Sequence, residues 1–178
     1  MKDLVKKSRL SRIKNRYIAK LATRFPLFSK IFINSYTPWE SEDIPWTPMT
    51  RSLKECKIAV VTTSGVHHKD QKPFDMHDPN GDPTFRVING LKLSTDRMIT
   101  HDYYDHTNAD KDVNIILPFE RLKEFEHEGI IGHVADTHYS FMGHIVGPYI
   151  YDLTNNHAKE VAVRLQADKV DVVLLTPG

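Results

Sequence analysis

The sequence predicts an α/β fold, with a mainly parallel sheet flanked by helices and a basic amphipathic helix at the N-terminus. Two observations lead to this prediction. Apolar runs of strand length, rich in β-branched residues, occur at 58–61 and 170–175, and segments with helical periodicity separate the strand candidates. Strands that alternate with helices favour a layered fold in which the sheet is mainly parallel.

The first 35 residues predict an accessory helical arm that the rest of the fold does not require. Residues 2–25 contain neither Gly nor Pro. An apolar stripe follows one face of the predicted helix: Leu10, Ile13, Tyr17 and Leu21. Residues 1–39 hold ten Lys and Arg against one acid, whereas the remaining residues hold fourteen against twenty-two. We expect the stripe to pack on the chain's own body or on a second subunit, with a membrane surface as the alternative. Nucleic acid is not expected, because the arm lacks the motifs of a nucleic-acid reader.

Residues 36–50 predict an extended connector between the arm and the body. They carry three prolines and both tryptophans of the chain. Proline removes a backbone donor, which disfavours both a helix and a central strand here. Trp39 and Trp46 are expected to anchor the connector by burying large apolar side chains.

Residues 51–178 are expected to form the α/β domain. The strand candidates are 58–61, which opens into the loop Thr62-Thr63-Ser64-Gly65, a weaker run at 97–101, a third at 132–141, and a buried closing strand at 170–175. The helix candidates are 117–129, with Phe119, Leu122 and Phe125 on one face and Gly129 at the C-cap, and 155–168, with Asn155 or Asn156 as the N-cap.

The composition narrows the class of protein. The chain is 40% hydrophobic and 26% charged, as in ordinary globular proteins. Its single cysteine, Cys56, can form no internal disulfide and is expected to be a buried structural thiol. No apolar run approaches the ~20 residues that cross a bilayer, and charges stand where a signal peptide needs an apolar stretch. These features predict a cytoplasmic protein.

Polar side chains gather after the strand candidates. Residues 67–112 contain nine Asp, five His and no Glu, in what we expect to be two ordered loops. His67 and His68 follow the first strand candidate, His101, Asp105 and His106 the second, and His138 and His144 the third. Because the carboxyl ends of parallel strands share one sheet edge, we expect a single site there. The alternative for any one histidine is that it only satisfies a loop carbonyl.

A metal site is the rival interpretation of this cluster, since His and Asp bind zinc and iron. The segment THDYYDH resembles the metallo-β-lactamase motif H-x-H-x-D-H, but Tyr103 stands where that motif needs its second histidine. We therefore predict no metal. The chain has no glycine-rich phosphate loop and no G-x-S-x-G nucleophile elbow, although a Ser-His-Asp triad stays open.

Four stretches together resemble a known family. They are TTSGVHHKDQKPFDMHDPNGDPTFR, HDYYDHTNADKDVNIILPFERLKE, HYSFMGHI and VDVVLLTPG, and they occur in the order the family has them. On these motifs, residues 44–178 look like the selenoprotein B family of glycine, sarcosine, betaine and D-proline reductases. The basic arm lies outside the resemblance.

The resemblance implies reductive cleavage of a C–N bond in a small amine or amino acid. In this family the segment similar to LLTPG runs into a redox-active selenocysteine, or a cysteine in some relatives. A pyruvoyl group on a partner subunit binds the substrate amine. We therefore expect selenocysteine directly after Gly178, and we expect a chain that ends there to lack its nucleophile and to be inactive. A UGA codon read as a stop would explain such an end; a natural or deliberate domain end is the alternative.

Within that chemistry the polar residues have expected roles. The candidate catalytic residues are His67, His101, Asp105, His106 and His138, and the candidate substrate-binding residues are Arg86, His68 and His144. A His or Asp at the sheet edge where the strands end, which we call the rim, can protonate a leaving amine. Arg86 can hold a carboxylate by a bidentate contact, or equally form a surface salt bridge. The rival functions are a metal-dependent hydrolase and a non-catalytic binding module, and we expect a homo-oligomer.

Overall fold

The computed structural model describes residues 2–25, 30 and 47–178, with side chains from residue 10 onward within those ranges. Of the predicted connector at 36–50, only residues 47–50 fall inside the described part, where they are irregular and exposed. The anchoring roles predicted for Trp39 and Trp46 lie outside the described residues.

The predicted N-terminal helix is present as α1, which runs without interruption over Lys2–Arg24. Ala19 is buried, and Arg12 and Arg16 reach the body of the protein. The four side chains of the apolar stripe are 42 to 71% exposed, although Ile13 and Tyr17 line a cleft that α1 forms with the loop at 104–110. The stripe is therefore not buried on the chain's own body within the described residues. No described helix is both long enough and apolar enough to span a bilayer.

A five-stranded sheet is built around β1, Lys57–Thr62. On one side β1 pairs in parallel with β7, Val172–Thr176. On the other side it pairs in parallel with β5, His133–Val134, at its start and with β6, Thr137–Ser140, at its end. β3, Arg86–Asn89, runs antiparallel to β6. Three of these four ladders are parallel, so the prediction of a mainly parallel sheet is confirmed.

A separate antiparallel pair is formed by β2, Val66–His68, and β4, Arg97–Ile99. The weak strand candidate at 97–101 is thus confirmed, but it does not extend the parallel sheet. Gly65 turns the chain from β1 toward β2 with a φ of 72°, and a Cβ there would lie 2.5 Å from the Thr100 carbonyl oxygen. Only glycine accepts both that φ and that approach. The premise that every strand candidate ends at one sheet edge is therefore wrong.

The helix predicted at 117–129 is α2, Phe119–His127. It buries Phe119 and Leu122, as predicted, but leaves Phe125 exposed. Gly129 follows the helix with a φ of 69°, a conformation that suits glycine after a helix C-terminus.

The second predicted helix begins earlier than expected. A short helix α3, Pro148–Asp152, continues through a π-helical turn, Leu153–His157, into α4, Ala158–Ala167. The prediction that Asn155 or Asn156 caps a helix is therefore wrong. Their side-chain amides donate one turn back, to the Tyr151 carbonyl oxygen (3.2 Å) and to Asp152 Oδ1 (2.7 Å), within a continuous helix.

Successive residues of β1 face two hydrophobic layers. Ile58 and Val60 face the layer that contains the buried residues of α2, whereas Ala59 faces the layer that contains Val161 and Leu165 of α4. This alternation follows from the two-residue repeat of a strand with a helix on each face.

β7 departs from the prediction of a buried strand. Val173 and Leu174 are 37 and 38% exposed, and Leu175 is 72% exposed. Among the described residues β7 pairs with β1 alone, so one edge of β7 is open. An open strand edge offers unpaired backbone groups to a further strand.

Candidate functional site

The loops after β1 and β7 are locked together at the carboxyl ends of these two parallel strands. The Thr63 N–H donates to the Thr176 carbonyl oxygen (3.0 Å), and the Ser64 hydroxyl donates to the Pro177 carbonyl oxygen (3.0 Å). The Thr62 hydroxyl in turn donates to Ser64 Oγ (2.8 Å) and accepts from the Ser64 N–H (3.2 Å). This buried hydroxyl chain fixes the course of the backbone through the rim.

Gly178 lies directly against Ser64. A Cβ at position 178 would be 2.6 Å from Ser64 Cα and 3.0 Å from Ser64 Oγ, closer than a side chain can approach. The Tyr104 hydroxyl donates to the Ser64 carbonyl oxygen (3.0 Å). The two strand-end loops and Tyr104 therefore meet around Ser64.

Three of the predicted histidines gather around Tyr103 and Tyr104. The His101 ring meets the edge of Tyr104, with centroids 4.6 Å apart, and the His106 ring lies 5.6 Å from Tyr104. The His144 ring stacks on Tyr103 at 3.7 Å. We call His101, Tyr103, Tyr104, His106 and His144 the aromatic cluster.

His101 is a neutral imidazole at physiological pH. Burial lowers its pKa to about 4, with the positive charges of His106 and His144 as further causes. Its Nδ1 accepts from the Tyr103 N–H (3.0 Å), so Nε2 carries the proton. Burial also raises the pKa of Tyr104, which keeps its phenol protonated. Both groups act as hydrogen-bond donors rather than charges.

His106 and Asp105 stand nearer to the solvent. His106 Nδ1 lies 2.8 Å from Asp110 Oδ2, which orients the ring and leaves Nε2 as the second proton site. The carboxylate of Asp105 accepts from the Thr107 hydroxyl (2.5 Å) and N–H (3.2 Å), and the hydroxyl contact is the main cause of its lowered pKa. Asp105 therefore stays ionised, and its carboxylate stabilises the local turn through its hydrogen bonds with Thr107.

His67 and His68 lie within β2 and support the backbone. His67 Nε2 lies 2.8 Å from the Thr100 hydroxyl, and its Nδ1 lies 2.8 Å from the His68 carbonyl oxygen. His68 Nε2 accepts from the Asn89 N–H (2.9 Å). These two rings satisfy loop and strand groups, which is the alternative considered for single histidines.

His138 lies inside β6 rather than after a strand, so the predicted position of this residue is wrong. Its Nδ1 accepts from the Val60 N–H (2.9 Å), at the break between β5 and β6 where β1 lacks a backbone partner. Burial lowers the pKa of His138 to about 4. The ring thus completes the sheet from the interior and does not reach the rim.

Arg86 has no free donor. Its five N–H groups match five hydrogen bonds, which go to the following acceptors: the carbonyl oxygens of Lys72, Pro73 and Phe85, Thr84 Oγ1 and Asp82 Oδ2. The guanidinium also lies 4.2 Å from the centroid of the Phe74 ring. Arg86 therefore closes the 72–86 loop and leaves no donor for a substrate carboxylate.

Asp102 was missed at the sequence level. Its side chain is 2% exposed, and two arginines of α1 meet it: Arg12 Nε at 2.5 Å and Arg16 Nε at 3.1 Å. Together with Lys20 and Tyr17, the second of these arginines lines a cleft of about 410 Å³ between α1 and the loop at 104–110. No sequence pattern distinguished Asp102 from the other aspartates of this loop.

Cys56 is buried, as predicted, and its thiol donates to the Ser52 carbonyl oxygen (3.2 Å) just before β1, far along the strand from the rim. Across the described part of the chain, no group of three or more His, Cys, Asp or Glu is arranged to hold a metal ion.

Buried hydroxyl, imidazole and phenol groups at the carboxyl ends of two parallel strands define the ligand edge of an open α/β protein. The family described as glycine/sarcosine/betaine reductase selenoprotein B matches residues 12–178. The chain belongs to this family, which confirms the resemblance found in the motifs. The match begins at residue 12, so the expectation that the basic arm lies outside the family is wrong for residues 12–35.

The chain is similar to subunits of several reductases. It is 37% identical over 133 residues to the D-proline reductase subunit gamma of Acetoanaerobium sticklandii, covering 75% of this chain and 53% of that protein. It is 30% identical to the glycine reductase complex component B subunit gamma of Symbiobacterium thermophilum (75% and 31% covered). It is 31% identical to the betaine reductase complex component B subunit beta of Peptoclostridium acidaminophilum (71% and 29% covered). The match thus spans about half of the first relative and a third of the others. No solved structure was found to match.

Proposed function

We propose that the chain is the part of a C–N-cleaving reductase that forms the pocket around its redox-active residue, with a small amine or amino acid as substrate. The position of Gly178 against Ser64, whose carbonyl oxygen accepts from the Tyr104 hydroxyl, is the observation that supports this most directly. A residue attached to Gly178 would leave the chain beside the aromatic cluster. In the reaction that the family resemblance implies, a selenol or thiol there supplies the nucleophile, and a pyruvoyl group on a partner subunit holds the substrate amine.

The residues of this chain would orient the reactants and handle protons. The aromatic rings of His101, Tyr103 and Tyr104 would enclose the reacting carbon and exclude water. His106, held by Asp110, has Nε2 free to deliver a proton to the leaving amine. His67, His68, His138 and Arg86 would support the fold beneath the site, since each is hydrogen-bonded to backbone groups there.

The test uses the chain extended beyond residue 178 along its own gene, with selenocysteine or cysteine at position 179. Assayed with a pyruvoyl-bearing partner subunit, this protein should show amine-reducing activity that the 178-residue chain lacks. Serine at position 179 is the matched control and should be inactive. Equal turnover by the serine protein and by the cysteine or selenocysteine protein would contradict the proposal, as would turnover by the 178-residue chain.

Variants at the rim separate its roles. His106→Gln should lower kcat by about a hundredfold at neutral pH, because loss of a general acid costs roughly that much. KM should change little. His127→Gln is the control, since His127 is an exposed histidine at the end of α2, away from the rim. Equal activities for the two variants would remove His106 from the mechanism.

We also propose that α1 contacts an anionic membrane surface. The stripe of α1 is exposed, and nine Lys and Arg lie in the helix against one Asp. Two copies of so basic a helix would repel each other, which favours lipid over self-pairing. Binding to vesicles that contain anionic lipid should weaken as salt rises, because screening acts over ~10 Å at 0.1 M. A salt-independent dimer in sedimentation analysis would favour a second subunit instead.

A further inference from the structure

Arg97 is a buried guanidinium that makes no ion pair with any described residue, because the nearby carboxylates of Glu120 and Asp96 act on it only from a distance. It is 9% exposed. Its Nη2 donates to the Lys92 carbonyl oxygen (3.2 Å), whereas its Nε is buried with no hydrogen-bond partner in the described part of the chain. A buried charge that lacks both an ion-pair partner and a full set of hydrogen bonds is costly. In Arg86, by contrast, all five N–H groups donate hydrogen bonds, so of these two arginines only Arg97 has a buried donor without a described acceptor.

Arg97 lines a cleft of about 470 Å³ whose unengaged charges are positive. Lys69 and Lys111 line the same cleft, and neither forms an ion pair with a residue that the structure describes. Three acids line the same cleft and are hydrogen-bonded to neighbours: Asp110 contacts His106, and Asp112 and Glu120 accept from the Asn114 amide. Among the charged groups of this cleft, Arg97 Nε–H is thus the buried donor that still lacks an acceptor among the described residues.

One buried imidazole near Arg97 adds a donor that has no acceptor in the described part of the chain. His68 is the cross-strand neighbour of Arg97. Because its Nε2 accepts from Asn89, its proton is on Nδ1, which has no partner among the described residues. Burial first, and then the nearby positive charges of Lys92 and Arg97, lowers the pKa of His68. A neutral donor without a described acceptor therefore lies beside Arg97.

We propose that the cleft binds an oxyanion, either free phosphate or the carboxylate of a small acid, with Arg97 as its main donor and Lys69 and Lys111 as flanking charges. A planar guanidinium matches two oxygens of such a group at once. Arg97 begins β4, whereas the aromatic cluster starts beyond the other end of that strand; Asp110 borders the cleft and also contacts His106 of the cluster. The proposal does not depend on the reductase assignment.

The experiment titrates inorganic phosphate and acetate separately into the protein, with NaCl holding the ionic strength constant. The nitrogen resonance of Arg97 Nε–H and the melting midpoint are followed. At least one of the two anions should shift the Arg97 resonance and the melting midpoint, and both shifts should saturate, since a ligand that binds only the folded state stabilises it. The anion that binds more tightly shows whether the site prefers phosphate or a carboxylate. Arg97→Lys keeps the charge but loses the planar fork, and should weaken binding roughly tenfold. Lys111→Gln should weaken it roughly threefold.

Lys159→Gln is the matched control, because Lys159 lies on α4 and donates to Asn155, away from the cleft. It should bind the anion as the unaltered protein does. The proposal is overturned if neither anion moves the Arg97 resonance saturably, or if Arg97→Lys binds as tightly as the unaltered protein. Should Arg97→Lys fail to fold, two measurements still test the proposal: whether the anion moves the Arg97 resonance of the unaltered protein, and whether Lys111→Gln weakens binding.

Discussion

Replacing Arg12 and Arg16 by alanine should destabilise the protein through Asp102. The carboxylate is almost fully buried, whereas the side chains of the two arginines are 34 and 55% exposed. Removing one partner of a buried ion pair costs roughly 3–5 kcal/mol, and an exposed pair contributes roughly 0–1 kcal/mol. Because the arginines are partly exposed, Arg12→Ala should lower the free energy of unfolding by ~2 kcal/mol and Arg16→Ala should lower it by ~1 kcal/mol.

The double variant should lose more than the sum of the two single changes, about 4 kcal/mol, because it leaves a buried carboxylate with no counter-charge. For a chain of this length each kcal/mol lowers Tm by roughly 2–4 °C, so the double variant should melt about 8–16 °C earlier. Urea denaturation gives the free energy of unfolding, and calorimetry gives the midpoint.

Asp102→Asn in the double variant removes the uncompensated charge and should recover most of the loss. Lys14→Ala, an exposed change on the same helix, is the control and should cost under ~0.5 kcal/mol. A protein without residues 1–35 should still melt cooperatively, at a lower temperature, and Asp102→Asn should raise that temperature. If the double variant melts within about 1 °C of the unaltered protein, the ion pairs contribute nothing and the argument fails.

Three further outcomes follow from the site. His101 and His138 have folded-state pKa values of about 4, below the ordinary 6.5, so the unfolded chain binds more protons than the folded chain between these pH values. In a series of denaturation experiments, the free energy of unfolding should therefore fall as the pH drops from 6.5 to 4, by up to about 3 kcal/mol for each ring. His138→Gln should make this dependence on pH less steep. Arg86→Ala should open the 72–86 loop to proteases, with a loss of about 3 kcal/mol that Arg86→Lys restores only in part. Gly143→Ala should cost more than ~2 kcal/mol by calorimetry, because its φ is 87° and a Cβ would lie 2.4 Å from the Thr63 carbonyl oxygen.

The elements that local pattern determines were predictable. β1 and α2 have strong apolar periodicity. Gly129 follows the end of α2 with a positive φ, which is the conformation that favours glycine after a helix. The separate pair of β2 and β4 was not predictable, because strands of three residues carry little pattern and their partner is set by the turn at Gly65. The exposure of β7 was also unpredictable, since an apolar run does not reveal how many strands pair with it.

The site was predictable in residue type but not in role. His101 and His138 look alike in sequence, yet one lies at the rim and the other completes a ladder inside the sheet. Arg86 and Arg97 differ only in how many acceptors surround them, which depends on distant backbone. The pairing of Arg12 with Asp102 joins residues 90 positions apart, and no local signal specifies a contact across that separation.

The π-helical turn between α3 and α4 lets the helix hold an extra residue without turning one end relative to the other. A π turn holds one more residue than an α turn, so each of its residues rotates the chain by less than the roughly 100° of an α-helical residue. Tyr149 in α3 donates to Asp78 Oδ2 (2.9 Å), while Val161 in α4 faces the sheet core. Losing a single residue from 153–157 would therefore make the helix regular and leave Tyr149 facing Asp78, whereas a deletion elsewhere in the helix would turn the two ends apart by about 100°. Lineages that carry a deletion within 153–157 should keep the Tyr149–Asp78 pair.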